Sequence, residues 1–124
     1  MKHPERVEDY LHHIAQAINR ATQYIESLGS VTVFQHSQRD QDAVIRNIEI
    51  IGEAATRIQK QAPDFVAAHP ELPWIEMRGM RNKVIHDYFE VNLNVVWNTI
   101  KEDLPQLKRQ IEGVLREHRR GQEC

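Results

Sequence analysis

The stretch DAVIRNIEIIGEAA, residues 42–55, decides how this chain folds. Val44, Ile45, Ile48, Ile51 and Ala55 recur at spacings of three and four, and Ile58 carries the stripe onward. That is the period of an α-helix rather than the alternation of a strand. Ser37 with Asp40 three residues later gives a start signal, and Pro63 gives a stop, so the pattern predicts a helix over 38–61. Gly52 lies on the apolar stripe, where a glycine costs about 1 kcal/mol relative to alanine; its expected use is to let a second backbone come close. The flank carries Arg46, Glu49 and Glu53, an acidic ridge with one cation, and the bland reading of it is a solvated face with local ion pairs.

Working outward, Pro4 and Gly29 bracket an earlier helix whose Val7, Leu11, Ile14, Ile18, Ala21, Ile25 and Leu28 keep the same spacing. The intervening GSVTVFQH has β-branched residues but no second strand to pair with, which predicts a loop leading to Ser37. On the other side, QAPDFVAAHPELP holds three of the five prolines and reads as a connection. Pro73 then opens a third helix reaching roughly to 87. A last helix begins near Asn92 and buries Leu93, Val96, Trp97, Ile100, Leu104, Leu107, Ile111, Val114 and Leu115. Its stripe keeps phase through Pro105, which predicts a kink and not a new element. REHRRGQEC looks frayed and basic, giving a tail over about 117–124. The expectation is an all-α chain, one domain over 1–124.

At 124 residues the chain is long enough to bury roughly two-thirds of its unfolded surface without disulfide or metal staples. Its one cysteine is Cys124, which suits a cytoplasmic home. No apolar run approaches the roughly 20 residues that span a bilayer, and the N-terminus is polar, so no membrane association is expected. Sixteen Lys and Arg against eighteen Asp and Glu give a formal charge of −2, not the footprint of a protein that coats nucleic acid. Any such contact must be local. From Arg78 to His86 the chain carries Arg78, Arg81 and Lys83 with no acidic residue.

The segment RNKVIHDYFE, residues 81–90, puts a permanent cation, an imidazole and a phenol within eight positions. On an ideal helix of about 100° per residue with Arg81 at zero, Trp74 lies near 20°, Met77 near −40°, Val84 near −60°, Ile85 near 40° and Tyr88 near −20°. Arg81 is then at the centre of an apolar arc, where a guanidinium must be paired or face an anion-binding cleft. Glu49 and Glu53 are the candidate partners. His86 lies about 140° away, so convergence with Arg81 needs local unwinding, a reach by the long arginine, or a second copy across a two-fold axis. Given an arginine, a histidine and a tyrosine in one cleft, the chemistry they suit best is RNA cleavage without metal. A histidine near neutral pKa can take the proton of the attacking 2′-hydroxyl, and an arginine fork can offset charge building on the phosphoryl oxygens. Tyr88 can stack on a base, bond a phosphate or fill the core.

Arg81, four residues, His86, one residue, Tyr88 resembles the signature of the HEPN superfamily, and DAVIRNIEIIGEAA, PWIEMRGMRNKVIHDYF and NVVWNTIKEDLPQLKRQIE narrow the resemblance to the HepT-like toxins. The resemblance implies an up-and-down bundle of four or five helices that homodimerises with its active cleft at the interface. It also implies a metal-independent endoribonuclease, the toxin of a toxin–antitoxin pair, with no cofactor. Its partner would be a minimal nucleotidyltransferase that neutralises it by transferring AMP to Tyr88. Carried over residue by residue, Arg81 and His86 are the catalytic pair, Asn82 positions phosphate or fixes the histidine, Glu53 orients Arg81, and Arg78 supports them; Asp87 stays in solvent.

Two rivals come from other classes. A non-catalytic helical adaptor that binds a nucleotidyltransferase or nucleotide has no need of Arg81 and His86 together. A metalloenzyme built from the seven histidines lacks a site, since His12 and His13 are adjacent, diverge by about 100° on a helix, and no HExxH spacing accompanies them.

Overall fold

The computed structural model describes residues 6–84 and 91–123, with side chains over 6–82 and 91–118. Among the described residues there are helices and no strands: α1 Val7–Leu28, α2 Val31–Gln35, α3 Gln38–Gln61, α4 Pro63–Ala68, α5 Trp74–Val84, α6 Leu93–Asn98, a π-helical turn Thr99–Asp103, and α7 Leu104–Glu123. The all-α expectation holds.

α1 ends where the sequence says it should. Gly29 takes the left-handed conformation, φ 78°, and returns its N–H to the Ile25 carbonyl, closing the helix in the way that glycine permits at little cost. α3 runs over the expected span, with Ser37 as its N-cap residue and the Ser37 hydroxyl bonded to the Asp40 carboxylate. The GSVTVFQH stretch is not a loop. Ser30 accepts the Val33 N–H at 3.3 Å and starts α2, and Phe34, fully buried, packs on Trp97 with ring centroids 5.7 Å apart. Burial of one aromatic outweighs the weak helix propensity of the β-branched residues around it. Gln41, itself buried, donates to the carbonyls of Phe34 and Gln35 at 3.0 and 3.1 Å and so satisfies the end of that short helix.

The proline-rich connection is likewise partly helical. Pro63 stands at the first position of α4, where its missing N–H leaves nothing unpaired. His69 and Glu71 then form a turn with Nδ1 and Oε1 2.8 Å apart. Glu71's own backbone N–H, and then His69, hold its carboxyl below the usual carboxylate range, and Trp74 anchors the turn by donating its indole N–H to the His69 carbonyl at 2.9 Å.

The last helix stays continuous through Pro105, as its stripe requires, but by widening. Leu104 donates to the Thr99 carbonyl, five residues back, in the turn just before Pro105. Proline lacks an N–H and its ring clashes with the carbonyl four residues earlier, that of Lys101; the wide turn makes room for both. α7 then runs to Glu123, past the point near Glu117 where a frayed tail was expected. His118 fastens it, with Nε2 3.8 Å from the Glu8 carboxylate and its ring edge-on to Phe65 at 6.5 Å.

Contacts at the ends of α1, α3 and α7, and the facing of Gly52 to Met77 with Glu49 to Arg81 between α3 and α5, fix the topology. Tyr10 near the start of α1 accepts from Gln61 at the end of α3 at 3.3 Å, His118 in α7 returns to Glu8 in α1, and Glu49 in α3 meets Arg81 in α5. Each pair is antiparallel, so α1, α3, α5 and the α6–α7 helix form an up-and-down bundle with α2 and α4 as connectors. The core between them includes Leu11, Ile14, Ile18, Ile48, Ile51, Ile58, Met77, Ile100, Leu104 and Ile111, none more than 1 % exposed. Among the described residues no helix is long and apolar enough to cross a membrane.

Candidate functional site

Gly52 brings α5 and α3 together. A Cβ at Gly52 would lie 3.3 Å from the Met77 carbonyl oxygen and 3.6 Å from that of Arg78, so the expected close approach is there, and the glycine is what allows it. From this contact the register follows. One turn along α5, Arg81 stands opposite Glu49, about one turn back along the antiparallel α3, and Arg81 Nε lies 3.7 Å from Glu49 Oε2.

Two expectations about Arg81 change. The face of α5 that packs inward is set by Trp74, Met77 and Met80, all buried, and on an ideal helix that face centres about 40° from Arg81. Arg81 is therefore on its flank and not at its centre, with a half-exposed side chain (52 %) beside Glu49, one of its two candidate partners. Nor does Glu53 hold it: the Glu53 carboxylate faces Arg57, Oε1 to Nη2 3.2 Å, one turn along α3. Of the two carboxylates, Glu49 is the one beside Arg81. The contact uses Nε, so it leaves the terminal Nη groups of this half-exposed guanidinium as further donors.

Arg78 and Asn82 are exposed on the same helix, as is Ile75 at 79 %, and Arg46 is exposed on α3. The expected trio of Arg81, Asn82 and Arg78 thus shares the outer side of α5. His86, Asp87 and Tyr88 lie outside the described residues.

A polar cleft lies on the opposite flank of α3, against α1, and the sequence reading missed it. It has a volume of about 520 Å³ and is lined by Tyr10, His13, Gln16, Arg20, Ile50, Glu53, Ala54 and Arg57. Arg57 bonds Glu53, Nη2 to Oε1 3.2 Å, and Glu53 first, then the nearby Tyr10 hydroxyl, push its pKa up from the ordinary value. The signal was present in the spacing: His13, Gln16 and Arg20 follow one another at three and four along the polar side of α1. Among the described residues no three His, Cys, Asp or Glu side chains gather as a metal-binding group; His12 turns to Glu8, 3.8 Å away, while His13 stands edge-on to the Tyr10 ring at 6.0 Å.

Residues 14–114 match the family model described as "Ribonuclease HepT-like". A protein of Thermococcus cleftensis named as a probable ribonuclease HepT is 45 % identical over 105 residues, covering 85 % of this chain and 92 % of the relative. A candidate RNase of Caldanaerobacter subterraneus subsp. tengcongensis is 34 % identical over 113 residues, 89 % and 95 % of the two chains, and a candidate RNase of Methanocaldococcus jannaschii is 35 % identical over 108 residues, 87 % and 95 %. No solved structure matches the chain.

Proposed function

This chain belongs to the ribonuclease HepT-like family, and from that premise we propose that it is a metal-independent endoribonuclease and the toxin of a toxin–antitoxin pair. The observation that carries the catalytic part is Arg81, at the surface with Nε 3.7 Å from the Glu49 carboxylate and with no partner for its terminal nitrogens among the described residues. In this reading, His86 takes the proton from a ribose 2′-hydroxyl, that oxygen attacks the adjacent phosphorus, and the bond to the 5′-oxygen of the next nucleotide breaks as that oxygen regains a proton. Arg81 supplies paired donors to the phosphoryl oxygens as their charge grows. Asn82 and Arg78, on the same outer side of α5, add a donor and a second cation.

The site is formed by two copies of the chain. An ideal helix separates Arg81 and His86 by about 140°, and a two-fold pairing of α5 segments brings each arginine near the partner's copy of the histidine. Exposed Ile75, a large apolar side chain beside Arg78 on that face, supports such a pairing. The protein acts in the cytoplasm, as a single domain, on RNA. A minimal nucleotidyltransferase silences it by moving AMP onto Tyr88, which places bulk and negative charge where substrate phosphate must sit.

Two expected results test this reading. Co-expression with a nucleotidyltransferase encoded beside the gene raises the mass of the protein by whole AMP units, located by peptide mass spectrometry at Tyr88; suppression of toxicity with Tyr88 unmodified contradicts silencing by transfer. On a dinucleotide that spans only the cut linkage, Glu49→Gln lowers cleavage about two- to fivefold, the scale of an exposed ion pair, while Glu53→Gln does not lower it. Equal losses in a single-turnover assay would remove Glu49 from its role beside Arg81.

A further inference from the structure

The cleft between α1 and α3 has the make-up of a phosphate site. Resting on the endoribonuclease reading above, we propose that it is a second anchoring point for the RNA backbone, in which Arg20, Arg57 and His13 hold a phosphate of the strand that flanks the cut linkage.

Three observations support this. The cleft is concave, about 520 Å³, with Tyr10, Gln16 and Ile50 forming walls around cationic groups. Arg57 is pre-positioned by its bond to Glu53, Nη2 to Oε1 3.2 Å, beside Tyr10, which is itself only 6 % exposed and accepts a hydrogen bond from Gln61 at 3.3 Å. Arg20, across the cleft, is exposed and has no ion-pair partner among the described residues. Because α1 and α3 are antiparallel, Arg57 stands toward the Tyr10 end of the cleft and Arg20 toward the Ile50 end, so an anion between them is drawn by both cations.

Position matters as much as composition. Glu49, Glu53 and Arg57 follow one another at four-residue intervals along α3, so Arg57 lies about 12 Å along the helix axis from the level of Arg81. A strand lying over Arg81 and running across the outer ridge of α3 reaches the cleft. Arg20, Arg46, Arg57, Arg78 and Arg81 border that path against Glu49 and Glu53, a local excess of cations on a chain whose formal charge is −2. The Glu53 carboxylate also lines the cleft; Arg57 neutralises it, and a phosphate binds on the Arg20 side. The net acidity of the chain is therefore no bar to RNA binding, because the contact is electrostatically local.

The test uses the full-length protein and two substrates, a dinucleotide that spans only the cut linkage and an oligonucleotide that extends beyond it. Arg20 is exposed and outside the proposed catalytic group, so Arg20→Gln and Arg20→Glu fold normally. Both variants raise KM for the oligonucleotide, about tenfold for Arg20→Glu, leave its kcat unchanged, and leave the dinucleotide untouched. Binding of an oligonucleotide made uncleavable by 2′-deoxy substitution weakens in parallel, and the slope of log affinity against log salt falls by about 1 for Arg20→Gln. Unchanged oligonucleotide binding in both variants overturns the proposal while leaving the Arg81 reading intact. Weakened binding together with a wild type that binds but never cuts supports the cleft and overturns the catalytic reading. A change in oligomeric state in place of RNA affinity shows the cleft to be a protein contact and also overturns it.

Discussion

Arg81→Ala is expected to lower RNA cleavage by about 100- to 1,000-fold, and His86→Ala by about 100- to 10,000-fold, with the helical content of both variants unchanged. The first range is that for removing a preorganised charge-stabilising donor, the second that for removing a general base. Stability should change little for Arg81→Ala because the side chain is half exposed and its one described partner, Glu49, is only partly buried, with its side chain 39 % exposed. An exposed pair at 3.7 Å contributes between about zero and 1 kcal/mol. The fall in activity is therefore a loss of chemistry rather than of fold, and circular dichroism with the cleavage assay separates the two. Arg81→Lys should recover only part of the activity: an ammonium keeps the charge but not the planar, two-pronged donor set.

The second large effect is on the backbone contact behind the site. Gly52→Val is expected to cost roughly 1–3 kcal/mol of stability, the range for forcing extra atoms into a packed interior. The nearest atom to a new Cβ is a carbonyl oxygen of α5, 3.3 Å away. A helix backbone cannot yield as the tip of a side chain can. Valine adds two methyl groups beyond that Cβ, so α5 must move outward, carrying Arg81 away from Glu49. Cleavage should fall together with the denaturation midpoint. Gly52→Ala sets two terms against each other, a gain of about 1 kcal/mol in helix propensity and a tight contact, and should stay within about 1 kcal/mol of wild type. A valine variant as stable and as active as wild type would show that the α3–α5 approach does not position the site.

The same glycine shows how much was legible in the sequence. Its place on an apolar stripe announced a close approach, and the approach is there. With the antiparallel register that follows from it, Arg81 falls opposite Glu49. The sequence left Glu49 and Glu53 equivalent because they lie four residues apart on one helical face; only the pairing of α3 with α5 separates them. The error over Arg81 has a related cause. Its apolar arc was drawn partly from residues beyond Val84, whereas the inward face of α5 is set by Trp74, Met77 and Met80.

α1 and α3 were readable because each carries a long stripe with end signals in place; the last helix was readable from its stripe and its start, though not at its C-terminal end, which runs on to Glu123. α2 and α4 were not, for different reasons. In α2 the local residues favour extended structure and a single buried aromatic, Phe34, decides otherwise. In α4 the signal existed, a proline suited to a first helical position, but it was read only as the stop of α3. The cleft of Arg20 and Arg57 had a local signal only in its α1 half, the spacing of His13, Gln16 and Arg20; that Arg57 of α3 faces them follows only from the packing of two helices distant in sequence.

The most direct test of the central claim is the chemistry of the cut ends, read by mass spectrometry after wild-type protein is incubated with RNA in EDTA. Attack by a ribose 2′-hydroxyl, with the His86 and Arg81 pair and no metal, predicts 2′,3′-cyclic phosphate on one fragment and a 5′-hydroxyl on the other, and no cut where the ribose at the linkage is 2′-deoxy. Fragments ending in 3′-hydroxyl and 5′-phosphate, appearing only when a divalent metal is restored, would contradict it.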